Sequence, residues 1–97
     1  MVWIRKGYMF GFVGSDMGDV WFVYILECLD GSYYIGVTND LDHRMMLHAT
    51  GKGSKYVASR GFKELLASKE CSSKSEACKA EYLIKKLKRG EKLGWFG

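Results

Sequence analysis

The chain has 97 residues, 47% of them hydrophobic and 14% aromatic, with 15 Lys or Arg against 11 Asp or Glu and a formal net charge of +4. A chain of this length is expected to be one domain that buries roughly 60–65% of its unfolded surface, with a modest core and no deep cleft. No apolar run approaches the ~20 residues of a membrane helix, and the start lacks the order of a secretory signal, so a soluble cytoplasmic protein is expected.

The charge is unevenly spread. Residues 1–38 carry two Lys or Arg against four Asp or Glu, net −2, whereas residues 39–97 carry thirteen against seven, net +6. An excess of positive charge beyond position 38 suits a phosphate-rich partner, although a lysine-rich helix is equally a solvated face. Cys28, Cys71 and Cys78 leave one thiol unpaired under any pairing, and none sits in a C-x-x-C or zinc-type array. They read as reduced, mostly buried thiols of a cytosol-like compartment.

Residues 1–20 form an N-terminal extension of uncertain order. Residues 1–19 hold four glycines without a sustained period, and Met17 is a second possible start. No function is assigned to them, and residues 21–97 are the single domain. From Trp21 the pattern is regular: Trp21 to Cys28 is apolar and β-branched, Asp30-Gly31 is a turn signal, and Tyr33 to Thr38 is a second strand, which together predict a β-hairpin. Asn39 or Asp40 can cap a helix over about 40–50, with Leu41, Met45, His48 and Ala49 at helical spacing and Gly51 at its end. Gly51-Lys52-Gly53-Ser54-Lys55-Tyr56 reads as a basic, glycine-rich loop without P-loop spacing. Phe62 to Ser68 predicts a third strand, with a helix as the competing reading. Ser73-Lys74-Ser75-Glu76 is a capping box opening a helix whose buried stripe is Ala77, Ala80, Leu83, Ile84 and Leu87, ended by Gly90. Glu91 to Gly97 reads as a short extension packing Trp95 or Phe96.

Arg44 and His48 lie four residues apart and share a helix face that must pack on the sheet. Glu81 is roughly 100° from the centre of its helix's buried stripe, at the edge of the buried face and within i,i+4 reach of Lys85. Taken singly these are a core histidine, a solvated arginine and an ordinary ion pair. Together, Val23-Tyr24, Tyr34-Ile35-Gly36, Arg44-x-x-x-His48 and Glu81 resemble the GIY-YIG nuclease superfamily, with Phe22-Val23-Tyr24 in place of the first triplet. Asp30-Gly31-Ser32, the basic glycine loop and Ser75-Glu76-Ala77 are similar to the small stand-alone bacterial type. The resemblance covers about residues 21–89.

The resemblance implies a mixed α/β (α+β) domain, with a three-stranded antiparallel sheet flanked by helices. It also implies a metal-dependent endonuclease hydrolysing phosphodiester bonds of nucleic acid, DNA before RNA. The implied site residues are Tyr24, Tyr34, Arg44, His48 and Glu81, with Glu81 binding Mg²⁺ or Mn²⁺ and the general base either a tyrosine or the histidine. In that setting Lys52, Lys55, Lys74, Lys85 and Lys88 would contact phosphates and Tyr56 would stack on a base. Two departures accompany the match: Phe22 replaces the first glycine, and no asparagine follows the glutamate helix. A nucleic-acid-binding module on the same fold with little catalysis, and a non-catalytic interaction domain, are the rival readings. A monomer is the default.

Parity of the hairpin makes a sharper expectation. A two-residue Asp30-Gly31 loop would put Tyr24 and Tyr34 on opposite faces. A type I turn followed by Gly31 in the left-handed conformation pairs Leu26 with Tyr34 and Tyr24 with Gly36, and places both phenols on one face. The resemblance implies that both phenols line one site, so a positive φ at Gly31 and both phenols on the face carrying Gly36 are expected.

Overall fold

The computed structural model describes residues 20–97. The expected extension lies, apart from Val20, outside the described residues. Strand β1 (Trp21–Cys28) and strand β2 (Tyr33–Thr38) form the hairpin, followed by helix α1 (Leu41–Ala49), helix α2 (Lys55–Arg60), strand β3 (Phe62–Cys71), helix α3 (Lys74–Lys85), helix α4 (Arg89–Lys92) and a closing 3-10 turn, Leu93–Phe96. The sheet is antiparallel with order β2-β1-β3. This is the expected fold class.

The central position of β1 explains its composition. A strand covered on both faces reads as a continuous apolar run, and Val23, Tyr24, Ile25, Leu26 and Cys28 are all buried. Tyr24, Leu26 and Cys28 join Leu41 and Met45 of α1, Val57 of α2 and Leu65 of β3 in one apolar cluster. Val23 and Ile25 point the other way, to a cluster with Ile35, Cys71 and α3's Ala77, Ala80 and Ile84, against which Trp95 and Phe96 also pack. The sheet is therefore the middle layer of three.

The turn has the predicted odd parity. Gly31 donates its N–H to the Cys28 carbonyl at 2.9 Å, Cys28 donates to the Ser32 carbonyl at 2.8 Å, and Gly31 has φ +88°. Leu26 pairs with Tyr34 and Tyr24 with Gly36. Asp30 fixes the tip by accepting from the Ser32 N–H at 3.0 Å and hydroxyl at 2.6 Å. Helix α1 is capped by Asp40, whose Oδ1 accepts from the His43 N–H at 3.0 Å, and it ends at Gly51 with φ +81°, the left-handed residue that closes many helices.

Five details differ from the sequence reading. The glycine-rich loop is shorter than expected, because Ser54 Oγ accepts from the Val57 N–H and starts α2 at Lys55; burial of Val57 under the sheet stabilises a helix too short to persist alone. Strand β3 runs to Cys71, past Ser68, because it pairs with β1 as far as Trp21, with two register shifts. Leu83 is exposed and Gly90 does not end α3, which stops at Lys85. There the Lys92 ammonium donates to the Ile84 and Lys85 carbonyls at 3.2 and 3.1 Å, as cations do at helix C-termini. Finally, the Glu76 carboxylate accepts from the N–H and hydroxyl of Ser72, one residue before the capping Ser73, so only the Ser73 half of the capping box forms.

A Cβ on Gly31 would meet no atom within 4 Å, so replacing it tests the backbone alone. Gly31→Ala is expected to lower unfolding stability by about 1–2 kcal/mol in urea titration, the cost of a side chain in the left-handed region. Gly90→Ala, also in open space but within α4, should be neutral or slightly stabilising.

Candidate active site

The site lies on the sheet face covered by α1 and α2. Tyr24 extends from β1 across Gly36 of β2, so close that a Cβ at position 36 would lie 2.4 Å from the phenol oxygen. The absent side chain lets the ring lie on the neighbouring strand, and its hydroxyl meets His48 Nε2 at 2.8 Å. His48 is the third buried residue of the α1 stripe, after Leu41 and Met45, and only 2% exposed. Its ring is edge-on to Tyr34 and Tyr24, with centroids at 5.5 and 5.8 Å, and parallel within 14° to Phe62 at 6.3 Å.

Gly53 completes the enclosure. A Cβ there would lie 2.5 Å from His48 Nδ1 and 2.8 Å from both Cγ and Cε1, so only a glycine fits against the imidazole. The Gly53 carbonyl also accepts from Arg44 Nη1 at 3.5 Å. One loop residue thus touches both polar members of the α1 face.

The electrostatics keep the buried pair neutral. Burial pushes the Tyr24 phenol far above its ordinary value, helped by Tyr34, opposed by the Arg44 guanidinium and raised further by Glu81. Burial, with the Arg44 charge adding to it, lowers His48 to about 4. His48 Nδ1 is buried without a protein partner. With one hydrogen bond between the two groups, one donor hydrogen stays unaccepted in either tautomer: the imidazole N–H if the proton is on Nδ1, the phenol O–H if it is on Nε2.

Glu81 reaches the site from the other layer. Helix α3 packs on β1 and on the edge strand β2, and the Glu81 carboxylate bears on Tyr24 electrostatically. Its side chain is 24% exposed and paired with Lys85 at 2.9 Å, at the half-buried helix edge expected from the sequence. Of the five expected site residues, Tyr24 and His48 form one buried pair with Tyr34 and Arg44 beside it, while Glu81, on the layer across the sheet, bears on Tyr24 through its charge alone.

The expected nucleic-acid contacts do not converge in the same way. Tyr56 lies beside Tyr34, with ring centroids 5.8 Å apart, and Lys52 and Lys55 are exposed near it in sequence. Lys85 is engaged by Glu81, and Lys74 lies over the Trp21 ring at 5.4 Å. Lys74 opens α3 and Lys88 lies beyond its C-terminal end, so the two are at opposite ends of a helix about 17 Å long at 1.5 Å per residue. Gly53 and Arg60 were not singled out as site residues by sequence. The signal for Arg60 was its i+4 spacing from Tyr56, legible only once α2 is known to be a helix.

The GIY-YIG catalytic domain family model matches residues 20–93. The chain belongs to the GIY-YIG family. Curated relatives carry the family designation UPF0213. The Oceanobacillus iheyensis protein is 52% identical over 79% of this chain and 90% of its own length. The protein of Halalkalibacterium halodurans is 51% identical over 73% of this chain and 76% of its own. The solution NMR structure of a UPF0213 protein from Bacillus halodurans shares 47% identity, covering 78% of this chain and 81% of that one with a TM-score of 0.50. Among GIY-YIG domains this is thus a small UPF0213-type member, and the family match supports nuclease chemistry in general.

Acid unfolding reads the His48 environment. The folded chain takes up the His48 proton near pH 4 and the unfolded chain near 6.5, so between these values the unfolded state binds more protons and stability rises with pH. Stability from this group is expected to be lost as pH falls from 6.5 to 4, by up to about 3 kcal/mol, and the loss should be missing from His48→Gln. Denaturant titrations of both proteins at pH 7, 5.5 and 4.5 measure the difference.

Proposed function

We propose that this GIY-YIG domain is an endonuclease that hydrolyses phosphodiester bonds of nucleic acid with one divalent metal ion, DNA being the first substrate to test. The observation that carries the reading is the buried 2.8 Å hydrogen bond between Tyr24 and His48, flanked by an arginine and a carboxylate. A core needing only packing would not retain two titratable groups in an apolar cluster with a donor hydrogen left over.

Tyr24 is the group that takes the proton of the attacking water. At neutral pH its phenol is protonated, so it must pass its own proton to His48 Nε2 as it accepts one from water; the imidazole, neutral at rest, then carries the charge. Arg44 opposes the rise in the Tyr24 pKa, and its permanent charge can hold the phosphoryl oxygens by paired N–H donors. Tyr34, stacked edge-on to His48, orients the pair. General-base catalysis of this kind contributes about 10²–10⁴-fold, so the remainder must come from electrostatic stabilisation of the phosphoryl group.

The donor set suits a loosely held hard cation. Among the described residues no three His, Cys, Asp or Glu side chains cluster as a metal cage, and Glu81 offers one partly exposed carboxylate. Mg²⁺ or Mn²⁺ is commonly bound through one carboxylate, several waters and substrate phosphate. Such an ion supplies neutralisation of charge on the phosphoryl and leaving oxygens. Glu81 would hold it, and Lys85 would have to release Glu81 first.

A plasmid nicking assay tests the reading. Cleavage is expected with Mg²⁺ or Mn²⁺ and not with EDTA, with a loss of at least about 100-fold in Arg44→Ala, Glu81→Ala and Tyr24→Phe. Cleavage of neither DNA nor RNA with any divalent ion would refute it. Binding is expected to weaken steeply as salt rises, as phosphate contacts require.

A further inference from the structure

Helix α2 carries one ring, Tyr56, and charge that the proposed chemistry leaves unused. The Tyr56 ring lies 5.8 Å from Tyr34 with 31° between planes, and the Arg60 guanidinium lies 4.3 Å from the Tyr56 centroid. Arg60 also donates to Asp30 Oδ2 at 2.8 Å. The row thus runs from the Tyr24–His48 pair through Tyr34 and Tyr56 to the hairpin tip. Tyr56 is 38% exposed, and the Arg60 and Asp30 side chains are 43% and 42% exposed, so the outer end of the row meets solvent.

We propose that Tyr56 is the seat for one unstacked base of the strand being cut, and that Arg60 covers this seat, latched by Asp30, until the base arrives. The inference rests on the nuclease reading for the identity of its ligand and specifies which strand geometry the site accepts. A guanidinium plane and a nucleobase compete for the same aromatic face. An exposed guanidinium–ring contact is worth about two- to fivefold in affinity, and an exposed ion pair at most about fivefold. Stacking of a base on an aromatic side chain is worth roughly fivefold to a hundredfold. A base that stacks in the upper part of that range outweighs the ring contact and the ion pair together and displaces the guanidinium, which is free to turn to an adjacent phosphate.

Asp30 opposes this exchange. Hydrogen bonds from Ser32 and the Arg60 pair hold its carboxyl at about 2, so it is ionised at neutral pH, and once Arg60 leaves it faces the strand as an anion with no cation paired to it, held only by Ser32. Bases inside an intact duplex are already stacked and cannot reach the seat. Single strands, ends and distorted sites can.

The test uses the full chain in EDTA at low salt and reads binding of a 2-aminopurine-labelled single strand and of the same strand in duplex. The single strand is expected to bind about tenfold tighter, with quenching of the label. Tyr56→Ala should lose about tenfold, Tyr56→Phe should retain the affinity because the ring remains, and Asp30→Asn should gain about threefold or more. Asparagine keeps an acceptor for the Ser32 N–H, so the turn survives that change, and thermal melts confirm that each variant folds. Unchanged binding in Tyr56→Ala, or weaker binding in Asp30→Asn, would overturn the proposal. Because no cleavage is read, a protein that shows these effects but cuts nothing keeps the base seat and loses the nuclease reading. One that cuts nucleic acid but ignores Tyr56→Ala does the reverse.

Discussion

A strand has two faces, and the length of one turn decides which of them each residue of the hairpin occupies. The turn between β1 and β2 holds an odd number of residues because Gly31 adopts φ +88° and adds a bulge, so Tyr24 faces the same layer as Tyr34. Shifting the register by one residue would send Tyr34 to the α3 layer and bring a neighbour to the wrong face, since side-chain direction alternates strictly. The Tyr24–His48 contact, the ring row through Tyr34 and the placement of Gly36 beneath the phenol all depend on that turn. Asp30 and Ser32 secure its tip. Arg89 secures it from the α3 side, donating to the Gly31 carbonyl and stacking on Tyr33 at 4.1 Å.

The second requirement is a lack of side chains. A phenol and an imidazole can meet inside an apolar cluster only if other atoms leave room and if the pair satisfies itself. Gly36 and Gly53 make the room, one under Tyr24 and one against His48. The hydrogen bond then satisfies most, though not all, of the polar valence, and burial keeps both groups uncharged at neutral pH. Arg44 and Glu81 stay at the periphery, where water can still reach them. Their charges act on the pair through a medium of lower dielectric than water and so act more strongly than surface charges would.

Net charge says less about binding than the positions of the charges. Much of the positive excess beyond residue 38 has structural work: Lys92 caps α3, Lys85 pairs with Glu81, and Lys86 lies over Tyr82 at 4.3 Å. Lys74 covers Trp21, on the layer opposite the site. Arg60 lies directly on the ring row, and Arg44 lies within the site.

The sequence alone determines the hairpin, the α1 stripe with Arg44 and His48 on one face, and the N-terminus of α3, because these follow from local periodicity, turn signals and capping residues. The parity of the hairpin is expected only through the requirement that both phenols line one site, because the Asp30-Gly31 signal by itself fits a loop of either parity. The sequence also contains the family motif, so the site residues are legible as a set. It does not determine α2 or the full length of β3. Both depend on non-local partners: Val57 buried beneath the sheet for the first, pairing with β1 as far as Trp21 for the second. Leu83 shows the same limit, being apolar at helical spacing yet exposed, because none of the described elements covers that side of α3. Arg60 lies on Tyr56 by i,i+4 spacing once burial of Val57 has made α2 a helix. That Gly53 closes on His48 and that Glu81 bears on Tyr24 from the other layer were decided only by tertiary structure. Each joins residues far apart in sequence or separated by a loop, and no periodicity encodes a distance across such a gap.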